Sequence, residues 1–188
     1  MLKANFITAQ EAAEKIQDGS TLCTIGMTLV SASESILKAI EKRFEMVGHP
    51  ADITLVHSCG QSDRKDGIQH LAHEGLVKRI VGSHWGLQPR WMEMIANSQV
   101  EAYCLPQGQI AQLYRSMAGK MSKVGLGTFI DPRVEGGKMN DRTKPLPDLV
   151  DILEYGGEEY MFYKEIPLDT VLIRGTVCDE MGNLTTTE

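Results

Sequence analysis

The sequence has no excess of positive charge. Its 19 Lys and Arg are outnumbered by 25 Asp and Glu, for a formal net charge of −6. A nucleic-acid-binding surface needs a basic face, so that class of partner is excluded. No apolar run approaches the ~18 residues of a membrane span. The first residues, MLKANFITAQEAAEKI, lack the apolar core of a secretory signal and turn amphipathic at once. Cysteine is scarce: Cys23, Cys59, Cys104 and Cys178 lie far apart and form no CxxC. Thiols so placed imply a reducing, cytoplasmic compartment. Cys23, Cys104 and Cys178 sit in or beside apolar runs, where Cys acts as a small hydrophobe. There is no internal repeat and no low-complexity tract.

What is present is enough for a core. The 188 residues are 42% hydrophobic, which suits one substantial core or a large part of a bigger one. Strand and helix signals alternate. Thr8 with Glu11 forms a capping box for a helix through Ile16, stopped by Asp18-Gly19. Thr21 to Ile25 reads as a short buried strand. Ser31 with Glu34 makes a second capping box, and the helix after it sets Ile36, Leu37 and Ile40 on one face. Asp52 to Val56 is the next strand, followed by the polar loop HSCGQSDRKDG. A short helix around Leu71 leads to a strand from Val77 to Val81. Pro89 opens a helix, VEAYCL is a strand, and Ile110, Leu113, Tyr114 and Met117 fall at helical spacing. Residues 125–149 are rich in Gly, Pro and charge yet carry Phe129 and Ile130, so they read as a folded, functional excursion. Strands at 160–166 and 170–177 close the chain.

This alternation predicts an α/β fold, a mainly parallel sheet flanked by helices. Ligands on such sheets bind at the carboxyl ends of the strands. Four polar or glycine-bearing segments stand at those ends: Gly26-Met27-Thr28, Ser58-Cys59-Gly60, Gly82-Ser83-His84 and Pro106-Gln107-Gly108.

Several motifs carry less than they suggest. GLGTFIDPR has a GxG but no third glycine in register and no clear strand before it, so it is not a dinucleotide fingerprint. GGK at 136–138 is not a P-loop, because Pro132 takes the first glycine position and Met139 follows the lysine. His70 and His73, three apart on one helix face, need two further ligands for zinc, and none is evident at fixed spacing. No metal site is predicted. Ser83-His84 lacks a nucleophile elbow. Trp85 and Trp91 read as packing residues, and Asp63 to Asp66 as a solvated turn. Gln107 stands apart. It follows Pro106 at a strand end, precedes Gly108 and a helix, and offers a neutral amide to the ligand face. Spacing alone leaves two readings open: a donor to an oxyanion, or a helix-entry residue satisfying backbone groups.

The strings AHEGLVKRIVGSHWGLQPR, LPQGQIAQLYRSM and GLGTFIDPRVEGGKMN, taken together, resemble the amino-terminal half of the family I CoA-transferases. The likeness is to short-chain acyl-CoA:acetate, 3-oxoacid or propionate enzymes and runs from about residue 8 to the end. The resemblance implies a three-layer α/β/α half, a single domain over 1–188, facing a second half that is absent from this chain. It implies transfer of CoA from an acyl-CoA to a free carboxylic acid through a glutamyl-CoA thioester on a glutamate of that second half. CoA is then a substrate, and no cofactor is bound permanently. Gln107 takes the oxyanion-hole role. Gly26, Met27, Thr28, Gly108, Gly125, Gly127 and Thr128 fall to the substrate, the glycines by letting backbone approach it.

Three features differ from the family pattern. The first strand is followed by IGMTLVSAS, with only Gly26, so Met27, Leu29 and Val30 reshape the acyl pocket. RSMAGKM is shorter than in relatives. Glu188, in a polar TTTE context, is no nucleophile. The chain alone is therefore expected to be inactive and to need a carboxy-terminal half or second subunit. A homo-oligomer is also expected, since an isolated half exposes apolar surface. Two other classes stay open on fold alone: a non-catalytic metabolite-binding module and an acyl-CoA hydrolase.

Overall fold

A computed structural model describes residues 3–118, 123–125 and 130–186. Five strands form a parallel sheet in the order β4-β3-β2-β1-β8: β1 Thr21–Thr24, β2 Ile53–His57, β3 Val77–Gly82, β4 Glu101–Cys104 and β8 Thr170–Leu172. Helices α1 Ala9–Glu14, α2 Glu34–Val47 and α3 Pro89–Ala96, with a short 3-10 helix Gly67–Leu71, cover one face. Helix α4 Gln107–Ala118 covers the other. It shares that face with an antiparallel sheet in the order β5-β7-β6, made of β5 Lys123–Gly125, β6 Val150–Tyr155 and β7 Glu158–Tyr163. A small hairpin, β9 Val177–Cys178 with β10 Leu184–Thr185, follows β8. Among the described residues no helix is long and apolar enough to cross a membrane.

The two-sided burial of the parallel sheet explains its apolar strands. Leu22, Leu55, Ile80 and Ala102 face α1–α3 and join Leu37, Ile40 and Trp91 in one cluster. Their neighbours Cys23, Val56, Val81 and Tyr103 turn to the other side and meet Ile110, Leu113, Ile130, Val150 and Tyr163. Each fully buried aliphatic side chain contributes about 1.5–3 kcal/mol.

The polar excursion seals an edge. Residues 137–143 run along β4, where Cys104 N donates to Gly137 O at 2.7 Å and Met139 N to Ala102 O at 3.0 Å. Ala102 N donates to Thr143 Oγ1 at 2.7 Å. An exposed edge strand is a template for unwanted pairing, and this segment occupies it. Gly136 and Gly137 are turn glycines, as the sequence implies, and both have positive φ.

Some local expectations give way to tertiary context. The Thr8/Glu11 capping box is present in full. The Ser31/Glu34 box is not. α2 starts from Ser33 without a side-chain cap, Ser31 sits in a turn at φ 62°, and Glu34 is drawn to the 3-10 helix, accepting from Gly67 N at 2.9 Å. The strand expected at 170–177 ends at Leu172, and Cys178 is exposed rather than buried. β6 has no counterpart in the sequence reading, because its burial pattern is mostly exposed and offers no apolar run. GLG is entered from a strand after all, the three-residue β5, whose partner β7 is antiparallel.

Candidate functional site

The carboxyl ends of the parallel strands present four loops in a row. After β1, Met27 and Val30 bond each other through the backbone, N to O in both directions at 3.1 and 2.9 Å. This closes a tight turn with Thr28 at φ 51°. Gly26 makes the turn possible. Its φ is 147°, and a Cβ there would stand 2.6 Å from Val30 O. The turn is anchored sideways to the loop after β2, by Thr28 N donating to Gly60 O at 2.9 Å and Gln61 Nε2 to Gly26 O at 3.3 Å. Met27 and Val30 present exposed apolar side chains, 57% and 68% accessible.

A buried polar layer underlies these loops. His57, the last residue of β2, is fully buried, with Nδ1 2.6 Å from Cys59 O. The carbonyl can only accept, so Nδ1 carries the proton. Burial pushes the imidazole down to about 4, partly offset by that hydrogen bond and reinforced by nearby His84, so the ring is neutral near pH 7. Trp85 meets it edge to face at 5.0 Å. Gln88 donates to His84 O at 2.8 Å and accepts from Gln61 N at 3.1 Å. Buried amides and one neutral ring thus tie the loops after β1, β2 and β3 into one unit.

Gln107 lies at the far end of the row. It is the first residue of α4, exposed, directly beyond edge strand β4. A Cβ on Gly108 would meet nothing within 4 Å, so the surface there is open. Strands β4 and β1 are three steps apart, about 14 Å at ~4.8 Å per step. The structure therefore gathers Gly26, Met27 and Thr28 in one turn and sets Gln107 and Gly108 on another loop of the same face. Gly125 ends β5 in the antiparallel sheet, paired with Met161. Gly127 and Thr128 lie outside the described residues. A crevice opens where β8 flanks β1, since β1 connects over to β2 on its other side. Adjoining clefts of about 420 and 520 Å³ there are lined by Val30, Ser31, Ile36, Ile173 and Arg174.

Residues 6–188 match the family described as coenzyme A transferase. The chain belongs to that family. It is 43% identical over 187 residues to the caffeate CoA-transferase of Acetobacterium woodii, covering 97% of this chain and 35% of the relative. It superposes on the acyl-CoA transferase YdiF of Escherichia coli O157:H7 with a TM-score of 0.92 and 34% identity, covering 98% of this chain and 36% of that one. The thioester complex of YdiF with CoA gives 0.89 and 35%, covering 96% and 36%. The acetate CoA-transferase subunit alpha of Escherichia coli K12 is 24% identical over 188 residues, 98% of this chain and 76% of the subunit. The chain thus spans about a third of the length of the caffeate CoA-transferase and of YdiF.

In this CoA-transferase chain the histidine pair has partners the sequence did not reveal. His70 sets Nε2 2.8 Å from Glu34 and Nδ1 2.5 Å from Glu41, and His73 Nε2 lies 2.9 Å from the same Glu41. Lys38 bridges Glu34 and Asp66 at 3.0 and 3.3 Å. Glu34, Asp66 and His70 hold ligand-type atoms within 4.8 Å of one another, as do Glu41, Glu45 and His73. Lys38 already pairs with both carboxylates of the first group, so the arrangement reads as an ion-pair network joining α2 to the 3-10 helix. Burial works against ionisation of Glu41, but hydrogen bonds from His73 and His70 outweigh it and hold the carboxyl low. The partners come from α2, some thirty residues upstream, where no spacing rule reaches. His57 was equally hidden. Its only signal was a polar residue closing the apolar run ITLV.

Proposed function

We propose that this chain is the amino-terminal half of an enzyme that moves CoA from a short-chain acyl-CoA to a free carboxylate such as acetate, propionate or a 3-oxoacid. A glutamate outside this chain attacks the thioester and becomes a glutamyl-CoA thioester, and the acceptor acid reverses the steps. Gln107 donates an N–H to the tetrahedral oxyanion. The turn at Gly26, Met27 and Thr28 lines the acyl end, with Gly108, Gly125, Gly127 and Thr128 as further substrate contacts. The observation that carries this reading is the position of Gln107: an uncharged, exposed amide at a strand end, on the face where such sheets hold ligands. A neutral donor stabilises an oxyanion without locking a carboxylate nucleophile in an ion pair.

CoA is the substrate, and nothing is bound permanently. The partner is a carboxy-terminal half or second subunit, in a homo-oligomer in the cytoplasm, and the chain has no activity by itself. The test combines the chain with a catalytic half, a donor (propionyl-CoA or caffeoyl-CoA, the latter prompted by the caffeate relative) and acetate. CoA exchange that falls about 10²–10³-fold in Gln107→Ala supports the proposal. Release of free CoA without dependence on acetate would make it a hydrolase. Saturable metabolite binding without turnover would make it a binding module.

A further inference from the structure

His84 is exposed, yet its ring is held in place. A Cβ on Gly60 would stand 2.8 Å from its Cδ2, and one on Gly86 would stand 3.0 Å from its Cε1. Both neighbours are therefore bare backbone, and the ring lies against them. Its carbonyl is fixed by the buried Gln88 amide at 2.8 Å. Positioned by glycine on two sides, the imidazole still faces outward, and no described residue hydrogen-bonds to either ring nitrogen. Its neighbours are committed elsewhere. His57 is buried and bonded to Cys59 O, and the Ser83 hydroxyl donates to Ser58 O.

The location matters as much as the freedom. Gly82 of β3 is in register with Cys104 of β4, and Leu105 N donates to Gly82 O at 2.9 Å, so the two strands stay paired to their ends. His84 follows Gly82 by two residues, and Gln107 follows Cys104 by three. The two loops spring from adjacent strands, about one 4.8 Å spacing apart at their bases. The turn at Met27 lies two strands further along.

We propose that His84 is a second substrate-contacting residue of CoA transfer, donating an imidazole N–H to the same oxygen as Gln107. This rests on the functional reading above. When a glutamate oxygen bonds the thioester carbon, the C=O π pair moves onto oxygen, and the two N–H groups hold the resulting alkoxide. The alkoxide then re-forms the carbonyl and expels CoA as thiolate. His84 supplies a hydrogen bond and no proton.

The test uses the chain with its catalytic half, propionyl-CoA and acetate. His84→Phe keeps a ring against Gly60 and Gly86 but has no N–H. We expect kcat to fall about 10²-fold or more with KM and melting temperature little changed. His84→Asn, which keeps a donor, should retain more of the rate. In His84→Ala, added imidazole should restore part of it, an effect no packing role would give. Wild-type kcat in His84→Phe, or equal losses in all three variants without imidazole rescue, would overturn this inference while the transferase reading stands. Absence of exchange by the wild type would remove both.

Discussion

Replacing Asn140 with Ala should loosen the strap over the β4 edge. Asn140 is almost fully buried and its side chain makes four hydrogen bonds. Its amide donates to Ile95 O at 3.0 Å and Val100 O at 2.9 Å. Its oxygen accepts from Thr143 N at 3.1 Å and Thr143 Oγ1 at 2.7 Å. The Thr143 hydroxyl in turn accepts from Ala102 N of β4, so the substitution also frees the group that pins the strand. At about 1 kcal/mol net per bond, with some recovery by water, the loss is about 3 kcal/mol. For a chain of this size that lowers the melting temperature by about 6–12 °C. Urea denaturation gives the free energy, and amide exchange locates it. Protection should fall first at Ala102, Cys104 and Met139. A loss below 1 kcal/mol, or unchanged exchange at those amides, would refute the strap as a stabilising element.

Acid stability should show the buried His57. Its folded value of about 4 lies below the ordinary 6.5, so the unfolded chain binds the extra proton. The stabilisation is complete above pH 6.5 and is lost as pH falls toward 4, about 3 kcal/mol in all. His57→Gln should flatten the pH-dependence of urea midpoints in that window, and an unchanged slope would count against a buried neutral imidazole. Gly26→Ala should destabilise by about 1–3 kcal/mol, since its Cβ meets Val30 O at 2.6 Å and the φ of 147° suits only glycine. In the assembled enzyme KM for acyl-CoA should rise. An alanine variant with wild-type stability and KM would show that the turn tolerates rearrangement.

Much was decided by sequence alone. Apolar runs such as ITLV and RIV, separated by helical spacing, are sufficient for a parallel sheet, because strands buried on both faces must be apolar throughout. The Thr8/Glu11 cap is local and was legible for that reason. So was the strand-end position of Gln107, since a proline and a helix start follow β4 directly. Only the tertiary structure decided what depends on strand order. It put Gln107 just beyond an edge strand that lies three places from the strand before Met27, and laid a polar excursion along that edge. It brought Glu34 and Glu41 to His70, which is why the Ser31 cap failed. It also left His84 uncovered between two glycines. Local pattern records which groups a segment must bury, whereas contacts between distant segments depend on how strands are ordered, and that ordering leaves no periodic mark in the chain.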